Sequence, residues 1–185
     1  MGKYSFWIAC IIVSSCLFFA SCTSHQKYPA EWSELILPTD EGCIDISGTY
    51  VNLGETVKGQ GAFLSALLDF EEAPSAVTQI QIAESDNYKL EVSAWYKQKL
   101  VSRKVYSRSN EEYSCSSKGV EIPIGRIEKA AAAGEGGMLY LTKSRDGALV
   151  IERKSSAGGY SLLYIPIVSS SYEWYRFKPV GMMKR

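Results

Sequence analysis

Tyr88-Lys89-Leu90-Glu91-Val92-Ser93-Ala94 (YKLEVSA) alternates apolar and polar side chains without a break. Successive side chains on a strand point to opposite faces, so Tyr88, Leu90, Val92 and Ala94 share one face and Lys89, Glu91 and Ser93 the other. One face against a core and one in water is the habit of an antiparallel sheet. Ser85-Asp86-Asn87 reads as a turn, and before it Thr78, Ile80 and Ile82 share one face of a preceding strand.

The same period extends along the chain. Asp45–Val51 (DISGTYV) is the expected first strand, and Val120, Ile122 and Ile124 alternate again. MLYLT and ALVIER flank KSRDG, whose Asp146-Gly147 is a strong hairpin signal. SSAGG (155–159) reads as the next turn. YSLLYIPIV and YEWYRF then read as two strands divided by the serines 169–171. Lys99–Tyr106 alternates poorly, as an edge or bulged strand does. Ala62–Phe70 is apolar on every side, which suggests a short buried helix. Glu128–Gly137 starts with good helix formers and ends in glycines that stop a helix. Twelve tyrosines favour strands over helices. The expected fold is all-β: an antiparallel meander of about eight strands, forming a small barrel or a sandwich, with one or two short helices. In the barrel version the Ala62–Phe70 helix caps one end.

The start of the chain reads differently. Met1-Gly2-Lys3 is short and positive, and Tyr4–Ala20 has no charged residue. The apolar run is short for a spanning helix, which needs about 20 apolar residues. The small residues Ala20-Ser21 precede Cys22, with a polar tail after it. This layout resembles the signal peptide and lipobox of bacterial lipoproteins, although Phe19 stands where leucine is usual. Cys16, in VSSC, is the second choice and leaves a shorter apolar core. The resemblance implies cleavage before Cys22 and acylation of its sulfur. No aspartate follows in Thr23-Ser24, which implies a place at the outer membrane, facing the periplasm. The expected organisation is a signal peptide over 1–21, a lipid-anchored tether over 22–42 and a β-domain over 43–185. Within the tether the first residues are expected to be loose and EWSELILP (31–38) to lie against the domain, because it is too apolar for free coil. Gly48-Thr49-Tyr50 is similar to the Gly-x-Trp that opens lipocalin barrels, with Tyr for Trp; that likeness covers three residues.

Composition excludes several roles. Lys plus Arg equals Asp plus Glu, for a formal net charge of zero, so nucleic acid is not an expected partner. Of five cysteines, Cys10 and Cys16 leave with the leader and Cys22 takes lipid. Cys43 and Cys115 remain as a pair for a disulfide in an oxidising compartment; two buried free thiols are the alternative. The single histidine, His25, lies on the tether, so triads and common zinc sites have no basis. Glu71-Glu72 and Glu111-Glu112 are adjacent pairs whose members face opposite ways on a strand. GETVKGQ (54–60) has P-loop-like glycines but Gln60 where the lysine belongs, and reads as a turn. No catalytic residue, cofactor or metal is therefore expected. The one charged cluster is Lys97, Lys99, Arg103, Lys104 and Arg108, a candidate contact strip for anionic lipid, cell-wall polymer or an envelope protein; a solvated edge hairpin is the alternative. The late aromatic residues Tyr160, Tyr164, Tyr172, Trp174, Tyr175 and Phe177 read as packing, or as the lining of a ligand cavity. The functional expectation is a non-enzymatic, lipid-anchored binding or accessory module. The alternative is a lipocalin-like carrier of a small apolar ligand.

Overall fold

The computed structural model describes residues 23–38, 43–85, 88–125, 134–160 and 166–181. The YKLEVSA alternation falls on β7 (Lys89–Tyr96), with Leu90, Val92 and Ala94 buried. Tyr88 departs from that face. It has φ 53°, is exposed, and belongs to the turn before β7. β7 is flanked by β6 (Gln79–Ser85) and β8 (Lys99–Ser107), and β6 pairs with β3 (Gly48–Val51). Their order is β3-β6-β7-β8, all antiparallel. β8 is an edge strand, and the register slips where it passes Ala94 and Trp95. The poor alternation of this segment has its cause there.

A nine-stranded sheet faces these four. Its spine is β10 (Gly119–Ile124), β11 (Gly134–Ser144), β12 (Leu149–Tyr160) and β13 (Pro166–Phe177). β9 (Ser114–Ser116) lies beyond β10, while β4 (Leu53–Thr56) and β5 (Gly61–Phe63) lie beyond β13. A buried cluster drawn from both sheets fills the space between, including Tyr50, Ile80, Val92, Leu139, Leu149 and Phe177. The architecture is a β-sandwich and not a closed barrel. The helix α1 (Leu64–Leu67) is one turn, preceded by β5, where a nine-residue segment was expected.

β11, β12 and β13 are 11, 12 and 12 residues long and outrun their neighbours. SSAGG is not a turn. Residues 155–159 pair one for one with residues 167–171 of β13, so the serine run 169–171 is strand as well. Backbone pairing, not side-chain preference, sets these residues, because strand propensity reflects packing more than intrinsic geometry. Gly134–Gly137 are likewise strand where a helix stop was expected; residues 128–133 of that expectation lie outside the described residues.

Long strands leave open edges, and the N-terminal segment fills two of them. β4 reaches β13 only at Tyr175 and Arg176; farther along, Ser170–Tyr172 pair in parallel with β1 (Thr23–His25). β10 leaves β11 after Leu141, and β2 (Leu35–Ile36) takes Lys143 and Ser144. Between β1 and β2 the chain crosses the outer face of the sheet. There Tyr28 packs edge-on against Trp32 and Trp174, and the Trp174 indole donates to the Gln26 carbonyl (2.9 Å). EWSELILP thus lies against the domain as expected, but the loose start does not: Thr23–His25 are sheet. Near Tyr28, Arg176 pairs with Glu55 (2.8 Å) and Asp146. Burial pushes the Asp146 carboxyl up, yet hydrogen bonds from Ser144 and Arg176 outweigh it and hold the group below its usual range.

Two covalent and polar fixtures join the sheets. Cys43, just before β3, is bonded to Cys115 of β9, with Cα atoms 5.1 Å apart. Asn52 stands where the chain passes from β3 in one sheet to β4 in the other, and it is buried. Its amide donates to the carbonyls of Pro74 (2.9 Å) and Val77 (2.9 Å) and accepts from the Ser65 N–H (2.8 Å). Two residues on, Gly54 lies so close under Phe177 that an added Cβ would stand 2.4 Å from its ring. The GETVKGQ glycine Gly59 turns the β4–β5 hairpin at φ 72°, and Gly147 turns the β11–β12 hairpin at φ 79°.

Candidate functional site

Period two decides where the site lies. On β12, Leu149 and Ile151 face the core; the same side continues with Arg153, Ser155 and Ala157. On β13, Phe177 and Tyr175 face the core, and Glu173, Ser171 and Ser169 continue that side. The inner face therefore changes from apolar to polar halfway along both strands. The four-stranded sheet does not cover the polar half completely. A cleft of about 740 Å³ opens between these residues, α1 with the loop after it, β8, and the end of β10.

Arg153 is the cation on the sheet side of this cleft. Its Nε is buried with no hydrogen-bond partner, and it forms no ion pair among the described residues. The Tyr175 hydroxyl lies beside it and donates to Glu173. Burial first, then the Glu173 carboxylate, pushes this phenol up to about 12. Ser155, Ser169 and Ser171 add hydroxyls to the same wall. Hydroxyls both donate and accept, and a guanidinium offers a planar fork of donors.

The opposite wall carries Lys104 and Tyr106. Lys104 Nζ donates to the carbonyls of Leu68 (3.2 Å) and Asp69 and lies 3.8 Å from the Asp69 carboxylate. It satisfies the C-terminal carbonyls of α1, a favourable place for a cation. The Tyr106 hydroxyl donates to the Leu68 carbonyl (3.3 Å), and burial pushes its pKa up to about 12.

The candidate cationic strip is not one surface. Lys97 and Lys99 are exposed at the β7–β8 turn. Arg103 is on the outer face, paired with Glu91 (3.3 Å), while Lys104 points the other way into the cleft. Arg108 is exposed in the turn after β8. Strand alternation separates these neighbours in sequence. The basic C-terminal stretch does not join them either. Pro179 bridges to Tyr50 on β3, the opposite edge of the four-stranded sheet from β8; residues 182–185 lie outside the described residues.

His25 is exposed and stacks edge-on against Tyr172 (4.8 Å) on the outer face, away from the cleft. The late aromatics divide in the same way. Tyr175 and Phe177 enter the core, Tyr172 and Trp174 face outward, and the side chains of Tyr160 and Tyr164 lie outside the described residues. Cys22 lies outside them too. Among the described residues no group of His, Cys, Asp and Glu converges as metal ligands, and no helix is long and apolar enough to cross a membrane.

Comparison with protein-family models, with curated proteins and with solved structures finds no match.

The buried phenols give one consequence that can be measured. Tyr50 donates to the Ile46 carbonyl (2.8 Å) and, by burial, is raised even further than Tyr106 and Tyr175. An unfolded tyrosine loses its proton near pH 10. The folded chain keeps these protons to higher pH, so the stability they contribute is complete below about pH 10 and is lost as pH rises toward about 12. Each such group steepens the fall by up to about 1.4 kcal/mol per pH unit. The urea midpoint is expected to drop sharply above pH 10, and Tyr106→Phe to flatten that drop. A midpoint level from pH 9 to 11.5 would contradict it.

Proposed function

We propose that this chain is an exported, lipid-anchored binding module, attached through Cys22 to the outer membrane and facing the periplasm, and that its ligand sits in the cleft. The observation that supports the cleft is the Arg153 guanidinium, a cation with no ion pair among the described residues, set in a serine-rich wall. A guanidinium in a cleft wall without a counter-ion offers its fork of N–H donors to a ligand oxyanion. The ligand class this suggests is a small polar molecule bearing an anionic group, with hydroxyls for the serines.

A non-enzymatic role fits the same geometry. The only histidine is on the other face of the sheet, and Tyr175 and Tyr106 keep their protons well above neutral pH. The Cys43–Cys115 bond suits an oxidising compartment. A lipocalin-like carrier of an apolar ligand has less support, because the cleft is open and its sheet wall is polar.

The test is native mass spectrometry of the full-length chain taken from membranes. An added mass carrying phosphate or carboxylate is expected on the parent protein, with occupancy falling at least about tenfold in Arg153→Gln, the loss of one charge-assisted contact. Parent protein without any added mass, or a mass retained equally by Arg153→Gln, would overturn the assignment.

A further inference from the structure

Where β1 begins fixes how the domain must meet a membrane. Thr23 pairs with Ser170 and His25 with Tyr172, in parallel. β1 therefore begins at the end nearer the start of β13, with Thr23 already paired in the sheet. That is the end of the sandwich that holds the cleft: Ser24, Ser169, Ser170 and Ser171 all line it. The 22–42 segment cannot serve as a spacer, because its described part, 23–38, is spent crossing the sheet and pairing with β13 and β11.

We infer that the domain is held flush against the bilayer by its cleft end, so that the ligand enters from the lipid headgroup layer and is the anionic headgroup of a bilayer lipid. This rests on the reading of Cys22 as acylated and of the cleft as the binding site. The outer face at this end supports it. His25 and Tyr172 stack there, and Lys154 stands 5.8 Å over the Tyr172 ring. Tyrosine and lysine, with an apolar body and a polar tip, suit the boundary between headgroups and water. The far end, at the 145–147 turn, lies about 30 Å away along the strands. A flexible spacer would let the domain tumble; a strand paired from its first residue does not.

The experiment places a single fluorophore on the acylated full-length chain, through Ser169→Cys or Arg145→Cys, in phosphatidylcholine vesicles doped with phosphatidylglycerol. A nitroxide on the lipid headgroup acts as quencher. Quenching is expected to be several-fold stronger at 169 than at 145. Inserting twelve Gly/Ser residues between Cys22 and Thr23, a coil of roughly 20 Å, should remove most of the contrast. Phosphatidylglycerol should co-purify with the parent and be lost in Arg153→Gln, whereas soluble glycerol phosphate should not replace it.

Equal quenching at both positions in protein whose mass includes the acyl chains would overturn the flush docking and leave the anchor standing. If the parent lacks acyl mass and Cys22→Ser sediments with vesicles as well as the parent does, the anchor fails and the docking fails with it. If quenching is polarised but no lipid is retained, or soluble glycerol phosphate binds equally well, the headgroup assignment is overturned.

Discussion

The Cys43→Ser, Cys115→Ser double variant is expected to unfold with about 4 kcal/mol less free energy than the oxidised parent. The bond closes a loop with a sequence separation of 72 residues, and a cross-link of that span removes much of the freedom of the unfolded chain. It also spans two sheets. Cys43 leads into β3 of the four-stranded sheet and Cys115 lies on β9, at the edge of the nine-stranded one. Both sulfurs pack against the core, so some of the loss comes from placing hydroxyls there. An alanine pair separates that part from the cross-link. Small domains have only about 5–15 kcal/mol in all, so the loss is a large share. The check is urea denaturation of the parent and both pairs, without reductant. The variants should show a lower midpoint and a slightly steeper slope, because the unfolded chain expands further. Coincident curves, or two titratable thiols in the parent, would contradict the expectation.

The parts of the fold legible in the sequence were those where one strand face is buried and the other wet. Leu90, Val92 and Ala94, and Ile80 and Ile82, identify their strands through that contrast alone. Asp146-Gly147 identified its hairpin because φ 79° at the second position asks for glycine. The Cys43–Cys115 pair followed from counting cysteines. Legibility ended where both faces become small and polar. Ser155–Gly159 and Ser169–Ser171 look like turn residues, yet they are the extended ends of β12 and β13. Their pairing is set by strands that have already formed farther along, a non-local constraint that local composition does not carry.

The cleft was missed for the same reason. Its signal was present as Leu149, Ile151, Arg153, Ser155, Ala157, a period-two series that turns polar halfway. It becomes visible only once 155–159 is known to be strand. The cationic run 97–108 misled in the opposite way. Its residues are close in sequence, but alternation sends Arg103 and Lys104 to opposite faces of β8. The N-terminal segment was half legible. Its apolar content placed 31–38 on the domain, but nothing in Thr23-Ser24-His25 announces that β13 has a free edge waiting for it.

Asn52→Ala is expected to cost about 2–5 kcal/mol, from the two buried backbone groups it leaves unpaired. Asn52 is 1% exposed. Its side chain serves three backbone groups from segments distant in sequence: the carbonyls of Pro74 and Val77 and the N–H of Ser65. Its own backbone bonds Thr78 and Leu64. Truncation leaves the buried Val77 carbonyl and Ser65 N–H without that partner, each worth about 1–3 kcal/mol and partly relieved if water enters, while the part-buried Pro74 carbonyl keeps the Val77 N–H (3.3 Å). The position also joins β3 to β4, where the chain changes sheets, so the loosened groups belong to both layers and to the start of α1. Asn52→Asp separates hydrogen bonding from size. An ionised carboxylate would face two carbonyl oxygens, so burial and repulsion should raise its folded pKa above the unfolded value near 3.9. The stability of that variant should therefore be highest at acid pH, where the carboxyl can donate to one carbonyl, and should be lost as pH rises through the raised value. Urea midpoints for the parent, Asn52→Ala and Asn52→Asp at pH 4 and pH 7 make the comparison. A cost for Asn52→Ala below about 1 kcal/mol would show that these three bonds do not hold the corner, and a pH-independent Asn52→Asp would show that the side chain is not enclosed.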